Sequence, residues 1–239
     1  MMQNEVNTTY SGLEELLAAE NYRKNYNEFI VNNCLNQIEI SKRFVDFGAG
    51  IGTLSILLKK KLGKEPICVE IDKNNIENLK NRNLEHFKNI DDVKESIDLV
   101  FSSNVLEHIE DDISILKSIQ SKLNKNGFLY LYLPANMILW SKVDNSVGHY
   151  RRYSRSEIKK KLNLCGFEVQ SIYYADSVGF MAILVMKLFK YNTDKVIESP
   201  SSLKFYDRFI FPLSRFLDSI GLKFLFGKNL IVVGKKLNN

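Results

Sequence analysis

The sequence predicts an α/β fold: a mostly parallel sheet with helices on both faces. Three observations lead there. Short apolar runs without polar alternation, beginning with "RFVDF" at Arg43–Phe47, have the pattern of strands buried on both sides. Helix-period segments lie between these runs, and strand–helix alternation of this kind builds a parallel sheet. A turn with glycine at every second position, "FGAGIGTL", joins the first strand to its helix, as happens where backbone must come close to a bound molecule.

The elements follow in order. Leu13 to about Gln37 reads as one or two helices, marked by Leu13, Leu16, Leu17, Phe29, Ile30 and Leu35. After the glycines, "TLSILLKKKL" is a helix that Gly63 ends. "PICVEI" is the next strand, and Asp72 caps the helix in "DKNNIENLKNR". A strand belongs between Asn83 and Val93, where the sequence is polar and marks none clearly. "SIDLVFSS" is a strand. "EDDISILKSIQSKLN" is a helix whose acidic first turn suits the macrodipole, with Ile113, Leu116, Ile119 and Leu123 on one face. Asn126–Gly127 stops it before the strand "FLYLYLP". Ser154-x-x-Glu157 is a capping box opening "RSEIKKKLNLC", which Gly166 ends. "FEVQSIYY" is a strand, two apolar amphipathic stretches follow at about Val178–Tyr191 and Leu203–Ile220, and "NLIVVGKK" is the last strand.

The chain has 239 residues, 45% hydrophobic and 26% charged, enough for one sizeable core. The polar start, "MMQNEVNTTYSGLEELLAAE", has no secretory signal pattern. Cys34, Cys68 and Cys165 lack metal or redox spacing, so a reducing, cytoplasmic setting is expected. The longest apolar run, Val178–Met186, is too short to span a bilayer. Net charge is +5, and Lys142 to Lys161 alone carries seven basic residues against two acidic ones. The excess therefore lies in one segment. A solvated helix face accounts for part of it. An anionic substrate or surface is the sharper reading.

A dinucleotide fingerprint needs G-x-G-x-x-G. Here the spacing is Gly48-x-Gly50-x-Gly52, with Asp46 two residues ahead of the first glycine. That pattern resembles motif I of the class I S-adenosylmethionine-dependent methyltransferases. Glu70 stands at the carboxyl end of "CVEID", 22 residues after Gly48. An acid there can accept both ribose hydroxyls of an adenosine, since ligands bind at that end of such sheets. The plainer reading is an ordinary exposed glutamate.

The resemblance implies a Rossmann-like seven-stranded methyltransferase sheet with an N-terminal helical cap and a C-terminal helical insertion. It implies S-adenosyl-L-methionine as methyl donor and S-adenosyl-L-homocysteine as product. Cofactor contacts would come from Asp46, Gly48, Ala49, Gly50, Gly52, Glu70 and Ile71. In "LVFSSNVLEHIEDD" it implies that Asn104 and Val105 line the methionine end, while Leu106, Glu107 and His108 face the methyl-transfer region. Helix capping or packing is the other reading of His108. Asp91 or Asp92 could supply the acid for the adenine amino group. The segment "YLPANMILWSKVDNSVGHYRRYSRSEI" resembles a bacterial and archaeal subgroup with a "GHYRRY"-like element after strand five, some of whose members are fused to glycosyltransferases. One domain is expected: residues 1–40 as N-terminal helices, 41–135 as the cofactor half, and 136–239 as the acceptor half with a helical insertion at about 175–225.

Methyl transfer from a sulfonium is an in-line displacement, so the protein mainly supplies proximity and alignment. A hydroxyl acceptor also needs a group to take its proton. Asp144 and His149 could form an oriented acid–imidazole pair, with His108 nearby. Arg151 and Arg152 could grip a phosphate or carboxylate. Tyr150, Tyr153 and Trp140 could wall the acceptor. The competing reading is a structural loop, with arginines paired to helix acids and tyrosines packed. Tyr22 and Tyr26, four apart, fall on one helix face, either as part of a cofactor lid or as core. His86, His108 and His149 lack ligand spacing, so no metal site is expected.

The expected function is methyl transfer to a small-molecule, glycan or lipid-linked acceptor, at oxygen, with the acceptor anionic. Nucleic acid is not expected as a partner, because the strand-four loop reads "SSNVLEH" rather than an Asn/Asp-Pro-Pro-Tyr type. A nucleic-acid or protein methyltransferase and a non-catalytic cofactor-binding scaffold are the alternatives. The apolar C-terminal helices fit core capping, a homodimer contact, or a peripheral membrane contact.

Overall fold

The structure is a computed structural model that describes residues 12–38, 43–189 and 199–237. Seven strands form one sheet in the order β3-β2-β1-β4-β5-β7-β6. They are β1 (Phe44–Phe47), β2 (Pro66–Val69), β3 (Glu85–Phe87), β4 (Ile97–Ser103), β5 (Leu123–Pro134), β6 (Phe167–Ala175) and β7 (Asn229–Lys236). The first five neighbours in that order pair in parallel. β7 runs antiparallel between β5 and β6. Seven strands, five paired in parallel and the last antiparallel between its neighbours, agree with the sheet that the resemblance implies.

Burial on both faces explains the unbroken apolar runs. Leu129, Leu131 and Leu133 of β5 face one way, into a core shared with Leu116 and Ile119 of α5 (Asp112–Lys122) and Ile158 and Leu162 of α7 (Arg155–Leu164). Tyr130 and Tyr132 face the other way, against Tyr26, Ile30 and Cys34 of α2 (Lys24–Leu35) and Leu58 of α3 (Thr53–Leu62). The tyrosine hydroxyls are satisfied within that layer. Tyr132 donates to the Tyr26 hydroxyl at 2.9 Å, and Tyr130 donates to the Ile30 carbonyl at 3.2 Å.

Most element expectations hold, and the departures have local causes. The polar strand exists: β3 is an edge strand, half-exposed, so it does not need an apolar sequence. Asp72 accepts from the backbone N–H groups of Asn74 and Asn75 at the start of α4 (Lys73–Asn81). α5 ends at Lys122, earlier than Asn126–Gly127, because Leu123 already pairs with Ile97 of β4. Asn126 takes a left-handed φ of 63° inside β5. The N-terminal segment is two helices. α1 (Leu13–Tyr22) breaks at Arg23, whose φ/ψ of −121°/45° is not helical, so Tyr22 and Tyr26 lie on different helices. Tyr26 is core.

The C-terminal insertion comprises α8 (Ser177–Leu188), a short helix at Pro200–Phe205, a π-helical turn at Tyr206–Ile210 and a helix at Phe211–Ser219. The expected stretch at Val178–Tyr191 thus ends outside the described residues. Its apolar stripes are not mainly core: Leu188 and Phe189 are 73% and 78% exposed, and Phe205, Phe209 and Phe216 are exposed as well. Among the described residues no helix is long and apolar enough to cross a membrane.

The π-turn ties the two ends of the chain together. Asp207 is buried, and its two carboxylate oxygens accept from the N–H groups of Asn25 and Tyr26, each at 2.9 Å. It caps α2 from 181 residues away, where α2 has no side-chain cap of its own. Asp207→Ala should destabilise the fold by about 2 kcal/mol, the upper end for a lost cap, with Asp207→Asn retaining part of it. Urea denaturation measures this, and an unchanged midpoint in Asp207→Ala would remove the cap from the account.

Candidate active site

The carboxyl ends of β1, β2, β4 and β5 form one edge of the sheet, and the glycine turn leads from β1 to α3 along it. Gly48 has φ +74°, and a Cβ there would lie 2.2 Å from a Val105 methyl. Only glycine lets the turn pass that close to the end of β4. At Gly50 (φ +55°) a Cβ would meet Leu16 at 3.0 Å, so α1 lies over the turn. A paired ion bridge keeps it there: Arg82 donates to both carboxylate oxygens of Glu20, at 2.9 and 2.7 Å.

Glu70 follows β2 directly and is 9% exposed. Its Oε2 accepts from Gly50 N at 2.8 Å, and its Oε1 from Ile71 N and Asp72 N at 2.7 and 2.9 Å. Ile71 beside it is 74% exposed. Asp46 behaves differently. It is buried under the turn and accepts from Ser55 Oγ at 2.5 Å, which braces β1 against α3. Burial pushes its carboxyl up to about 7, with the Ser55 hydrogen bond opposing and Glu70 adding to the rise. The Asp46 side chain thus supports the turn from below. Ala49 is buried beside Cys68, Leu79 and Leu84.

The edge suits S-adenosylmethionine. α3 begins at Gly52 without a side-chain cap, and the buried Thr53 Oγ1 beside it has no partner. Uncapped N–H groups at a helix start favour an anionic group. The glycine turn makes room for backbone contact, and Glu70 supplies an acceptor. Asn104, exposed and with φ 54°, and half-buried Val105 stand at the end of β4 opposite the turn. Asp91 and Asp92 are exposed in a short turn after β3, and the Asp91 carbonyl accepts from Lys122 at the end of α5. No contact in the structure points either of them at an adenine.

The second half of the site is built by two buried carboxylates. Asp144 in α6 (Lys142–Ser146) closes a capping box with Ser141. It accepts from Arg152 Nε and Nη2 at 2.8 and 3.0 Å, and pairs with His149 Nδ1 at 2.9 Å. Those hydrogen bonds hold its carboxyl well below the usual range against the desolvation that opposes them. Asp112, at the start of α5, accepts from Tyr153 at 2.8 Å and pairs with Arg151 and Lys161 at 2.8 and 2.5 Å. Arg151 also donates to the Glu110 carbonyl. Arg151, Arg152 and Tyr153, expected at the acceptor, are engaged by internal partners, as the structural-loop reading anticipates, and Arg152 and Tyr153 are buried. Tyr150 alone of that group is exposed, and Trp140 is half-buried with Nε1 donating to Asn145.

His149 packs edge-on against His108, ring centroids 4.6 Å apart. Its Nε2 is 3.9 Å from Glu107 Oε1. Glu107 is wholly buried, neither of its carboxylate oxygens has a partner, and burial pushes its carboxyl up to about 8. Glu107 was visible in the sequence only through the "VLEH" resemblance. A separate cavity of about 470 Å³ lies between α8 and the Pro200–Tyr206 segment. Ala182, Ile183 and Met186 wall it, and Arg23, Tyr206 and Lys228 are polar groups at its lining. Among the described residues neither Arg23 nor Lys228 forms an ion pair, and burial brings Lys228 down to about 8. Sequence reasoning missed both cations, because they come from segments far apart in the chain and meet only in the fold, Arg23 over the Tyr26 ring and Lys228 over that of Tyr206.

A nucleotide-edge α/β sheet with this turn and this acid defines a class I S-adenosylmethionine-dependent methyltransferase. The family model described as a methyltransferase domain matches residues 18–172, and the chain belongs to that family. A Haloferax volcanii methyltransferase structure, solved with the Trm112 activator, is similar with TM-score 0.63 at 16% identity over 94% of this chain and 98% of that one. A SAM-dependent methyltransferase from Archaeoglobus fulgidus gives 0.61 at 18% identity, over 93% and 99%. A Haemonchus contortus phosphoethanolamine N-methyltransferase with bound S-adenosyl-L-methionine gives 0.60 at 16% identity, over 98% and 59%. No curated protein matches the chain by sequence.

Gly48→Ala should cost about 2–4 kcal/mol, combining the left-handed backbone penalty with overpacking against Val105. Adding Val105→Ala should restore part of that loss. Thermal unfolding of the single and double variants reads both effects, and a Gly48→Ala protein of full stability would show that the turn and β4 are not in close contact.

Proposed function

We propose that the protein transfers a methyl group from S-adenosyl-L-methionine to a hydroxyl of a small acceptor that carries both an apolar and an anionic part. The observation that carries this reading is the cluster of Glu107, His108 and His149, which follows Asn104 and Val105 at the carboxyl end of β4. S-adenosyl-L-methionine supplies a methyl group on a sulfonium that leaves as neutral sulfur. The chain's own residues do the rest.

Gly48, Gly50 and Gly52 admit the cofactor's backbone-facing side, and Asn104 and Val105 bound its methionine end. Glu70 accepts from the ribose. A carboxylate has about four acceptor positions, and three are already taken by backbone N–H groups, so binding both ribose hydroxyls exchanges one of those bonds. Ile71 offers an exposed apolar face beside it. The acceptor hydroxyl lies against the cluster and loses its proton to water as the O–CH₃ bond forms and the C–S bond breaks, with the electron pair left on sulfur. Asp144 fixes the ring of His149 through Nδ1, leaving Nε2 to face the reaction. Tyr150 and Trp140 lie at the rim. Arg23 and Lys228 supply the positive charge for an anionic acceptor that the paired arginines of "GHYRRY" do not. The exposed apolar residues of α8 and of the Phe205–Phe216 stretch, interleaved with Lys187, Lys204, Arg208 and Arg215, support a second reading in which the acceptor is held in a lipid surface.

His149→Ala should abolish turnover while leaving S-adenosyl-L-methionine affinity within about twofold, because uniform binding is untouched when only a transition-state interaction is lost. Glu70→Ala should weaken cofactor affinity about tenfold or more, about 1.4 kcal/mol or more. Calorimetric titration and a methyl-transfer assay separate the two. Wild-type turnover in His149→Ala would overturn the catalytic assignment, and wild-type affinity in Glu70→Ala the ribose assignment.

A further inference from the structure

We infer that Glu107, His108 and His149 hold a divalent first-row transition-metal ion, and that the ion is what activates the acceptor hydroxyl. This rests on the methyl-transfer reading and names the means by which the cluster works.

Four observations converge on it. One carboxylate oxygen and one nitrogen from each imidazole all lie within 4.8 Å of one another. Glu107 is fully buried and neither carboxylate oxygen has a hydrogen-bond partner, with His149 Nε2 3.9 Å from Oε1, which is costly for a carboxyl unless something else pairs with it. Each ring is held from behind: Asp144 takes His149 Nδ1, and His108 hydrogen-bonds the backbone of Val147. A carboxylate behind a ligating imidazole is the common outer support of metal sites. Finally, His108 is exposed and His149 half-buried, so the cluster opens to solvent on the side away from Glu107.

In a tetrahedral site two ligand atoms each about 2.1 Å from one ion are about 3.4 Å apart. The Glu107–His149 separation of 3.9 Å therefore closes by about half an ångström on binding, and the widest pair, within 4.8 Å, by up to about 1.4 Å, which requires rotation of the exposed His108 ring and of the Glu107 side chain. Two imidazoles and one carboxylate leave open positions and suit Zn²⁺, Mn²⁺, Fe²⁺ or Co²⁺ better than Mg²⁺ or Ca²⁺, which prefer oxygen. An ion there lowers the pKa of a hydroxyl placed in an open position. In the step itself the acceptor O–H proton goes to water, the O–CH₃ bond forms, and the C–S bond breaks with its electron pair left on sulfur. No oxidant or reductant is needed.

The sequence pattern hides this site because its ligands are adjacent in one place and 41 residues away in the other. The fold joins them where the 3₁₀ turn Leu106–His108 meets the segment after α6, with Tyr150 N donating to the Glu107 carbonyl at 2.7 Å.

The test is Co²⁺ titration of untagged, chelator-treated protein, read by visible absorption and by calorimetry, with S-adenosyl-L-methionine titrated in parallel. One equivalent of Co²⁺ should bind and give a d–d band. Glu107→Gln, and separately His108→Gln at the exposed ligand, should weaken Co²⁺ at least about tenfold while binding the cofactor like the wild type. That retained cofactor binding certifies the fold of each variant. No stoichiometric Co²⁺ binding, or equal binding in both variants, would overturn the site. Loss of cofactor binding in the wild type would instead defeat the methyl-transfer reading and leave the cation result standing by itself.

Discussion

The carboxylate of Asp144 is the constraint on which the second half of the molecule depends. It is buried, yet Arg152, His149 and Ser141 all reach it within one short stretch of chain. A buried ion pair stabilises only modestly against a well-packed apolar alternative, but removing one partner costs about 3–5 kcal/mol because the other is left uncompensated. What the pair fixes is geometry. With Arg152 locked, α6 cannot drift from β5, and His149 cannot rotate away from Glu107 and His108. Asp112 does the same for the far end of the segment, through Tyr153, Arg151 and Lys161. The run "GHYRRY" is therefore a strap in which alternate residues reach two acids, and Tyr150 is the one side chain left outside.

The two halves of the site differ in how they are made. The cofactor edge is local: glycine turn, Glu70 and the end of β4 are brought together by parallel pairing of β1 with β2 and β4. The cavity beside α8 is assembled from remote pieces. Arg23 comes from the break between α1 and α2, Tyr206 from a π-turn, and Lys228 from the residue before β7. π-turns are rare and concentrate at functional positions. Here the turn serves two ends at once, capping α2 with Asp207 while Tyr206 donates to Asp176 at the start of α8.

This difference explains what the sequence made legible. Burial on both faces leaves an unmistakable mark on β1, β4 and β5, and the glycine spacing marks the cofactor turn. β3 was obscure because an edge strand is free to be polar. The basic segment was misleading for an electrostatic reason. Counting charges along the chain cannot show that Asp112, on another helix, already pairs Arg151 and Lys161. Arg23 and Lys228, which line the cavity, carry no local pattern. Asp46 was placed at the cofactor by its proximity to the glycines, whereas strand alternation turns its side chain beneath them toward Ser55. Glu107 has no sequence signature of its own beyond "VLEH", and its significance is visible only once both of its oxygens are seen to be orphaned.

The most direct test of the central claim uses purified protein, methyl-labelled S-adenosyl-L-methionine, and extract of the source cells separated into small molecules, lipids and macromolecules. The account predicts label in the small-molecule or lipid fraction, in a linkage stable to alkali as an ether is, with one S-adenosyl-L-homocysteine formed per methyl group transferred. Label confined to protein or nucleic acid would contradict it.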